Sequence, residues 1–169
     1  MSEKNLGMLI DLSLCVGCNA CAVACKQENG IPVGAFNTWV ESWDAIGEAG
    51  RVARANMPKQ CNHCENAPCI GAAPEAVYRR EDGLIVIDPE KAKGNKKLVD
   101  SCPYGTIYWN AELEIPQKCT GCAHLLDGGH PLSTPRCVDN CHVGAIEFGE
   151  MDDLDLEGTE VLHPEYGTR

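Results

Sequence analysis

The residues best equipped for chemistry are four cysteines in one short stretch, Cys15-Val-Gly-Cys18-Asn-Ala-Cys21-Ala-Val-Ala-Cys25. Their spacing, C-x2-C-x2-C-x3-C, suits a tight loop whose first three thiolates cap three corners of a 4Fe-4S cube. The fourth cysteine lies a helical turn further on, points away, and in two-cluster proteins ligates the other cluster. One such run therefore requires a partner run elsewhere in the chain.

Three further runs follow. The second is Cys61-Asn-His-Cys64-Glu-Asn-Ala-Pro-Cys69, with Ala73 standing before Pro74 where a fourth cysteine would be expected. The third keeps only its closing Cys102-Pro103, and counting back at the usual spacing lands on Leu98, Asn95 and Ala92. The fourth is Cys119-Thr-Gly-Cys122, a fourteen-residue insert, then Cys137-Val-Asp-Asn-Cys141. If fourth ligands are exchanged between nested pairs of runs, Cys15, Cys18 and Cys21 share a cluster with Cys141. Cys119, Cys122 and Cys137 then share one with Cys25, and Cys61, Cys64 and Cys69 share one with Cys102. The ligands of the remaining site would be Ala92, Asn95, Leu98 and Ala73, so that site has lost all its cysteines together. Twelve cysteines thus give three complete 4Fe-4S sites and one vacant site.

Two other uses of cysteine compete with this one. Disulfides need an oxidising compartment, and the start of the chain lacks the long apolar core of a secretory signal. Structural zinc does bind paired C-x2-C units, but zinc sites rarely set four cysteines within one run this short. Iron–sulfur ligation fits the spacings best. The formal net charge of −11 leaves no basic face for nucleic acid. No apolar run reaches the eighteen or so residues that span a bilayer. A soluble, cytoplasmic protein is expected, although export attached to a signal-bearing partner stays open.

Short elements must position these cysteines. Gly7–Asp11 reads as a strand leading into the first loop, and residues 19–29 as a helix ended by Gly30 with Pro32 beyond. Thr38–Trp43 alternates like a strand, whereas Asp44–Lys59 lacks periodicity and reads as a connecting loop. Residues 76–80 and 84–88 flank a Glu81-Asp82-Gly83 turn and predict a hairpin. Asp88-Pro89 is an N-cap followed by proline, which predicts a helix over Lys91–Asp100. Ala145–Phe148 reads as a closing strand, and the acidic tail from Glu150 as surface. Gly17, Gly71, Gly105 and Gly121 are expected to let the backbone approach the cubes. His63, His124, His130, His142 and His163 read as packing or hydrogen-bonding residues, not ligands or bases. Lys91, Lys93, Lys96 and Lys97 read as a solvated helix face, with replacement of a lost cluster's charge balance as the alternative.

The layout resembles the iron–sulfur subunits of the dimethyl sulfoxide reductase-type molybdopterin oxidoreductases, most closely the small subunits of pyrogallol–phloroglucinol transhydroxylases. The residues that carry the likeness are His63–Cys69, Arg80–Gly83, Ile87–Gly94, Cys102–Gly105, Tyr108–Asn110, Gln117–Asp127 and Pro135–Cys137. The transhydroxylase subunits also look like three-cluster versions without the same site, and continue into a β-sandwich domain that this chain lacks. The resemblance implies an α+β, duplicated bacterial ferredoxin-like fold, with short strands and helices wrapped around clusters held by four nested cysteine runs. Residues 1–60 and 111–169 would form the outer half, and 61–110 the inner half with the vacant site. It implies an electron-transfer subunit with no active site of its own, in an anaerobic setting. Its partner would be a large catalytic subunit holding molybdopterin guanine dinucleotide with Mo or W. That partner would act on a phenolic ring by hydroxyl transfer, dehydroxylation or hydroxylation; an oxyanion or sulfur-compound reductase, or a free-standing polyferredoxin, are the alternatives.

Overall fold

The computed structural model describes residues 5–46, 50, 52–128 and 134–154. Its elements are short because loops around the cysteines take up much of the chain. Strand β1 (Leu6–Ile10) precedes the first cysteine loop, and helix α1 (Ala20–Asn29) carries Cys21 and Cys25 on its buried side. Gly30 ends α1 in the left-handed conformation, with its N–H donated to the Lys26 carbonyl. A long hairpin of β2 (Trp39–Ile46) and β3 (Val52–Lys59) follows, then the one-turn helix α2 (Pro68–Ala72). Strands β4 (Val77–Arg79) and β5 (Ile85–Ile87) pair, as do β6 (Tyr108–Asn110) and β7 (Ile115–Gln117). Helices α3 (Ala123–Asp127) and α4 (Arg136–Asp139) lead to β8 (Ile146–Glu150).

Among the described residues, four two-stranded antiparallel sheets result. Three are hairpins of neighbouring strands, whereas the fourth joins the first strand to the last, Leu6 opposite Glu150 and Ile10 opposite Ile146. The Leu6 N–H also reaches the Asp82 carbonyl in the β4–β5 turn, so this closing ladder is tied to the middle of the chain. Arg80 reinforces the link by bridging Asp82 and Asp127 on α3. The mixture of helix and paired strands is α+β. Among the described residues, no helix is long and apolar enough to cross a membrane.

Two sequence-based expectations are corrected. Asp44–Lys59 is not a connecting loop, because Val52–Lys59 is the strand β3. Polar groups mark its pairing: Ser42 donates to Asn56 at 2.7 Å, and Arg54 meets Asp44 at 2.8 Å. Such partners leave no apolar alternation to detect. The helix expected over Lys91–Asp100 is also absent. Asp88 does accept the N–H groups of Glu90 and Lys91, as a cap would. Gly94, however, turns to φ +77° and donates its N–H to Glu114, so the chain resumes only as a 3₁₀ turn over Lys96–Ser101. The strand expected from Thr38 begins at Trp39 and runs on to Ile46. Of the acidic tail, Met151–Asp153 forms one 3₁₀ turn, and the residues after 154 lie outside those described.

Candidate metal centres

Cys61, Cys64, Cys69 and Cys102 line one cavity, walled by Pro68, Ile85, Pro103 and Ile107. The first two stand on the loop after β3, Cys69 on α2, and Cys102 directly after the 3₁₀ turn. His63 adopts φ +46°, which bends this loop so that its own N–H is donated to the Cys61 Sγ at 3.4 Å. Across the cavity the Thr106 N–H is donated to the Cys102 Sγ at 3.5 Å, with the Thr106 hydroxyl 3.3 Å away.

Cys25, Cys119, Cys122 and Cys137 line a second cavity. They come from α1, from the loop after β7 and from α4. Gly121 donates its N–H to the Cys119 Sγ at 3.3 Å, and the Asn29 amide reaches the Cys25 Sγ at 3.6 Å. The two cavities are neighbours, since Lys118, which lines the first, directly precedes Cys119 of the second.

Cys15, Cys18 and Cys21 gather at the start of α1, close enough that the first two raise the pKa of the third after its burial does so. Cys141 packs against the small core made by Cys21, Cys137 and Ile146, and its Sγ accepts the Ala145 N–H at 3.2 Å. His142, the residue after Cys141, brings its Nδ1 within 3.9 Å of the exposed Cys18 Sγ.

The donor chemistry of these three groups suits iron. All twelve cysteines are free, and soft thiolates select iron–sulfur clusters over hard cations. Among the described residues, no three His, Cys, Asp or Glu side chains converge on a single bare ion. Burial pushes Cys64 and Cys119 up to about 11 and Cys25 up to about 12, with the facing thiols adding to the rise. Cys137 is driven well above the ordinary thiol value by burial and by the thiols around it. Such groups stay protonated at neutral pH until a cationic centre replaces the protons. The N–H groups aimed at sulfur are the contacts that tune such a centre.

The positions without cysteine behave differently. Ala73 and Ala92 are 0 % exposed and Leu98 is 1 % exposed, in one core with Cys69, Ala76, Val77, Ile85 and Ile107. The expected vacant site is therefore solid aliphatic packing, with Asn95 half-buried beside it. The nearby lysines are exposed; Lys91 pairs with Asp88, and Lys96 lies over the Trp109 ring.

At two of the glycines protein atoms alone already leave no room for a side chain: a Cβ on Gly17 would meet Asn56 at 2.5 Å, and one on Gly121 would meet Leu84 at 2.9 Å. A Cβ on Gly105 or Gly71 would meet no protein atom within 4 Å. Of the histidines, His63 is buried and its Nδ1 accepts the Ile85 N–H at 2.8 Å. Burial, Lys118 and Arg79 hold it well below the usual histidine range, hence neutral. His124 meets Glu28 at 2.9 Å, whereas His130 and His163 lie outside the described residues. Sequence reasoning overlooked Asn29, Thr106 and Lys118. The first two are ordinary residue types at ordinary positions; Lys118 directly precedes the fourth cysteine run, the only signal it gave.

Known proteins show the same pattern. The family model of the 4Fe-4S dicluster domain matches residues 52–151, and that of the 4Fe-4S binding domain matches residues 8–28. The pyrogallol hydroxytransferase small subunit of Pelobacter acidigallici is 42 % identical over 96 % of this chain and 65 % of its own length. A tetrathionate reductase subunit from Salmonella typhimurium is 38 % identical over 95 % of this chain and 68 % of its own. A polysulfide reductase polypeptide from Wolinella succinogenes is 33 % identical over 94 % of this chain and 83 % of its own. The chain thus spans about two-thirds of the first two relatives' length, at 65 % and 68 %. A dicluster match over more than half the sequence, joined to these likenesses along nearly all of it, means that the chain belongs to the 4Fe-4S dicluster family of iron–sulfur electron-transfer subunits.

Proposed function

We propose that the chain carries three 4Fe-4S clusters and serves as the electron-transfer subunit of a molybdopterin enzyme. In this reading Cys15, Cys18, Cys21 and Cys141 hold one cluster. Cys119, Cys122, Cys137 and Cys25 hold the second, and Cys61, Cys64, Cys69 and Cys102 the third. The observation that carries it is the cysteine lining of the two cavities, each drawn from two different runs. Clusters supply one-electron storage; the protein's part is to bury them, aim N–H groups at their sulfur ligands and keep water away. The fold is read as a duplicated ferredoxin-like unit, with 1–60 and 111–169 as the outer half and 61–110 as the inner half.

The partner is read as a large catalytic subunit with molybdopterin guanine dinucleotide and Mo or W. The pyrogallol hydroxytransferase relative supports a phenolic substrate for that partner. The tetrathionate and polysulfide reductase relatives support a sulfur compound instead. The cytoplasm, where thiols stay reduced, is the compartment this reading favours.

Protein purified anaerobically should be brown and hold about twelve irons with as much acid-labile sulfide. Colourless protein containing zinc would overturn the cluster assignment. The partner reading expects co-purification with one large molybdopterin subunit, and isolation as a lone carrier would overturn it. Turnover of phenols by that complex with no external electron donor marks hydroxyl transfer, whereas an absolute need for a donor marks a reductase.

A further inference from the structure

Lys118 is 2 % exposed, the most deeply buried cation among the described residues. Its ammonium donates to the Ile85 carbonyl and, at 2.9 Å, to the Cys119 carbonyl. None of the ion pairs among the described residues includes it. A buried ammonium held by two neutral carbonyls is costly unless a negative group lies close. Lys118 lines the cavity of Cys61, Cys64, Cys69 and Cys102, and it directly precedes Cys119 of the second cavity.

We propose that Lys118 is the shared counter-charge of these two cluster sites and raises the reduction potential of both. Reduction adds one electron to a cluster and one unit of negative charge to its site. A fixed positive charge between two sites favours the reduced form of each, and burial keeps solvent from screening it. The backbone completes the arrangement. Ile85 gives its carbonyl to Lys118 and its N–H to the His63 Nδ1, so one residue's backbone links the ammonium to a neutral imidazole. Lys118 is thereby a positioning and tuning residue that meets no substrate.

The inference rests on the cluster assignment proposed above, and the test keeps the two apart. Redox titration followed by electron paramagnetic resonance on the iron-loaded full chain reads the clusters separately. In the unaltered protein, fewer than three cluster signals would defeat the assignment and not the role of Lys118. Lys118→Gln keeps a donor and removes the charge, Lys118→Met removes both, and Lys118→Arg keeps the charge. The neutral variants are expected to lower the reduced-to-oxidised ratio of two clusters at fixed potential by about tenfold or more, which is about 59 mV for a one-electron couple. The third cluster should stay unmoved, and Lys118→Arg should titrate like the unaltered protein. Equal potentials in Lys118→Gln, or an equal shift of all three clusters, would overturn the proposal. If the neutral variants lose iron, full loading of Lys118→Arg supports the charge as the requirement. Loss in Lys118→Arg as well would reduce Lys118 to packing and overturn it.

Discussion

Single residues in this chain answer to what presses on them, and Gly121 is the clearest case. It sits at φ +63° with Leu84 packed where a Cβ would go, whereas Gly105 at φ +64° faces open space. Left-handed backbone alone costs a residue with a side chain about 1–2 kcal/mol. Gly105→Ala should therefore lose about that much, and Gly121→Ala distinctly more, because Leu84 is fully buried and cannot swing clear. Denaturant unfolding under anaerobic conditions compares the two directly; equal losses would show that Leu84 yields. The cysteines were legible as residues because ligand spacing is written into local sequence. Asn29 and Thr106 were not, although each lies four residues from its thiol, because nothing marks an asparagine or a threonine as a sulfur partner; Lys118 was not, since it joins the lining around Cys69 only after distant loops have met.

At the scale of elements, packing decides what sequence pattern leaves open. The β4–β5 hairpin was legible from its Asp-Gly turn, and α1 from its C-capping glycine. Strand β3 was hidden because its pairing is polar, and the helix over Lys91–Asp100 was overruled by Gly94 and by the burial of Ala92 and Leu98. Leu98→Ala should cost about 2–5 kcal/mol of unfolding free energy as a buried truncation and weaken iron retention, because Cys69 lies in the same core and Cys102 packs against it. Unchanged iron content in that variant would show that the cysteine cavity tolerates the truncation. Glu28 couples two cysteine-bearing helices, since its carboxylate on α1 meets Arg136 of α4 at 2.7 Å. Hydrogen bonding to Arg136, then to His124, holds its pKa below the usual carboxylate value. A lowered folded pKa gives stability that is present above the unfolded value, about 4.3, and is lost as pH falls through the folded one. Cluster bleaching should be faster in Glu28→Gln than in the unaltered protein near neutral pH, and the two rates should converge on acidification. A constant ratio of rates at every pH would assign the effect to shape and not charge.

For the whole molecule, charge and closure are the governing facts. A formal net charge of −11 grows more negative by about two for each cluster held by four thiolates. Long-range steering toward a partner of opposite charge should follow, so association should slow as salt is added. The pairing of first strand with last was not legible from either strand alone, because short apolar runs do not name their neighbours. It has a consequence for biosynthesis. On the ribosome, the proposed Cys61-to-Cys102 ligand set is complete before the fourth cysteine run has been translated, whereas the other two proposed sets wait for Cys137 and Cys141. Iron delivery would thus begin at the middle of a nascent polypeptide and finish only after its end is stitched to its start. A polypeptide stopped after Lys118, which keeps the whole lining of that cavity, should accordingly retain about four irons. Total loss of metal from it would make assembly a single all-or-none event.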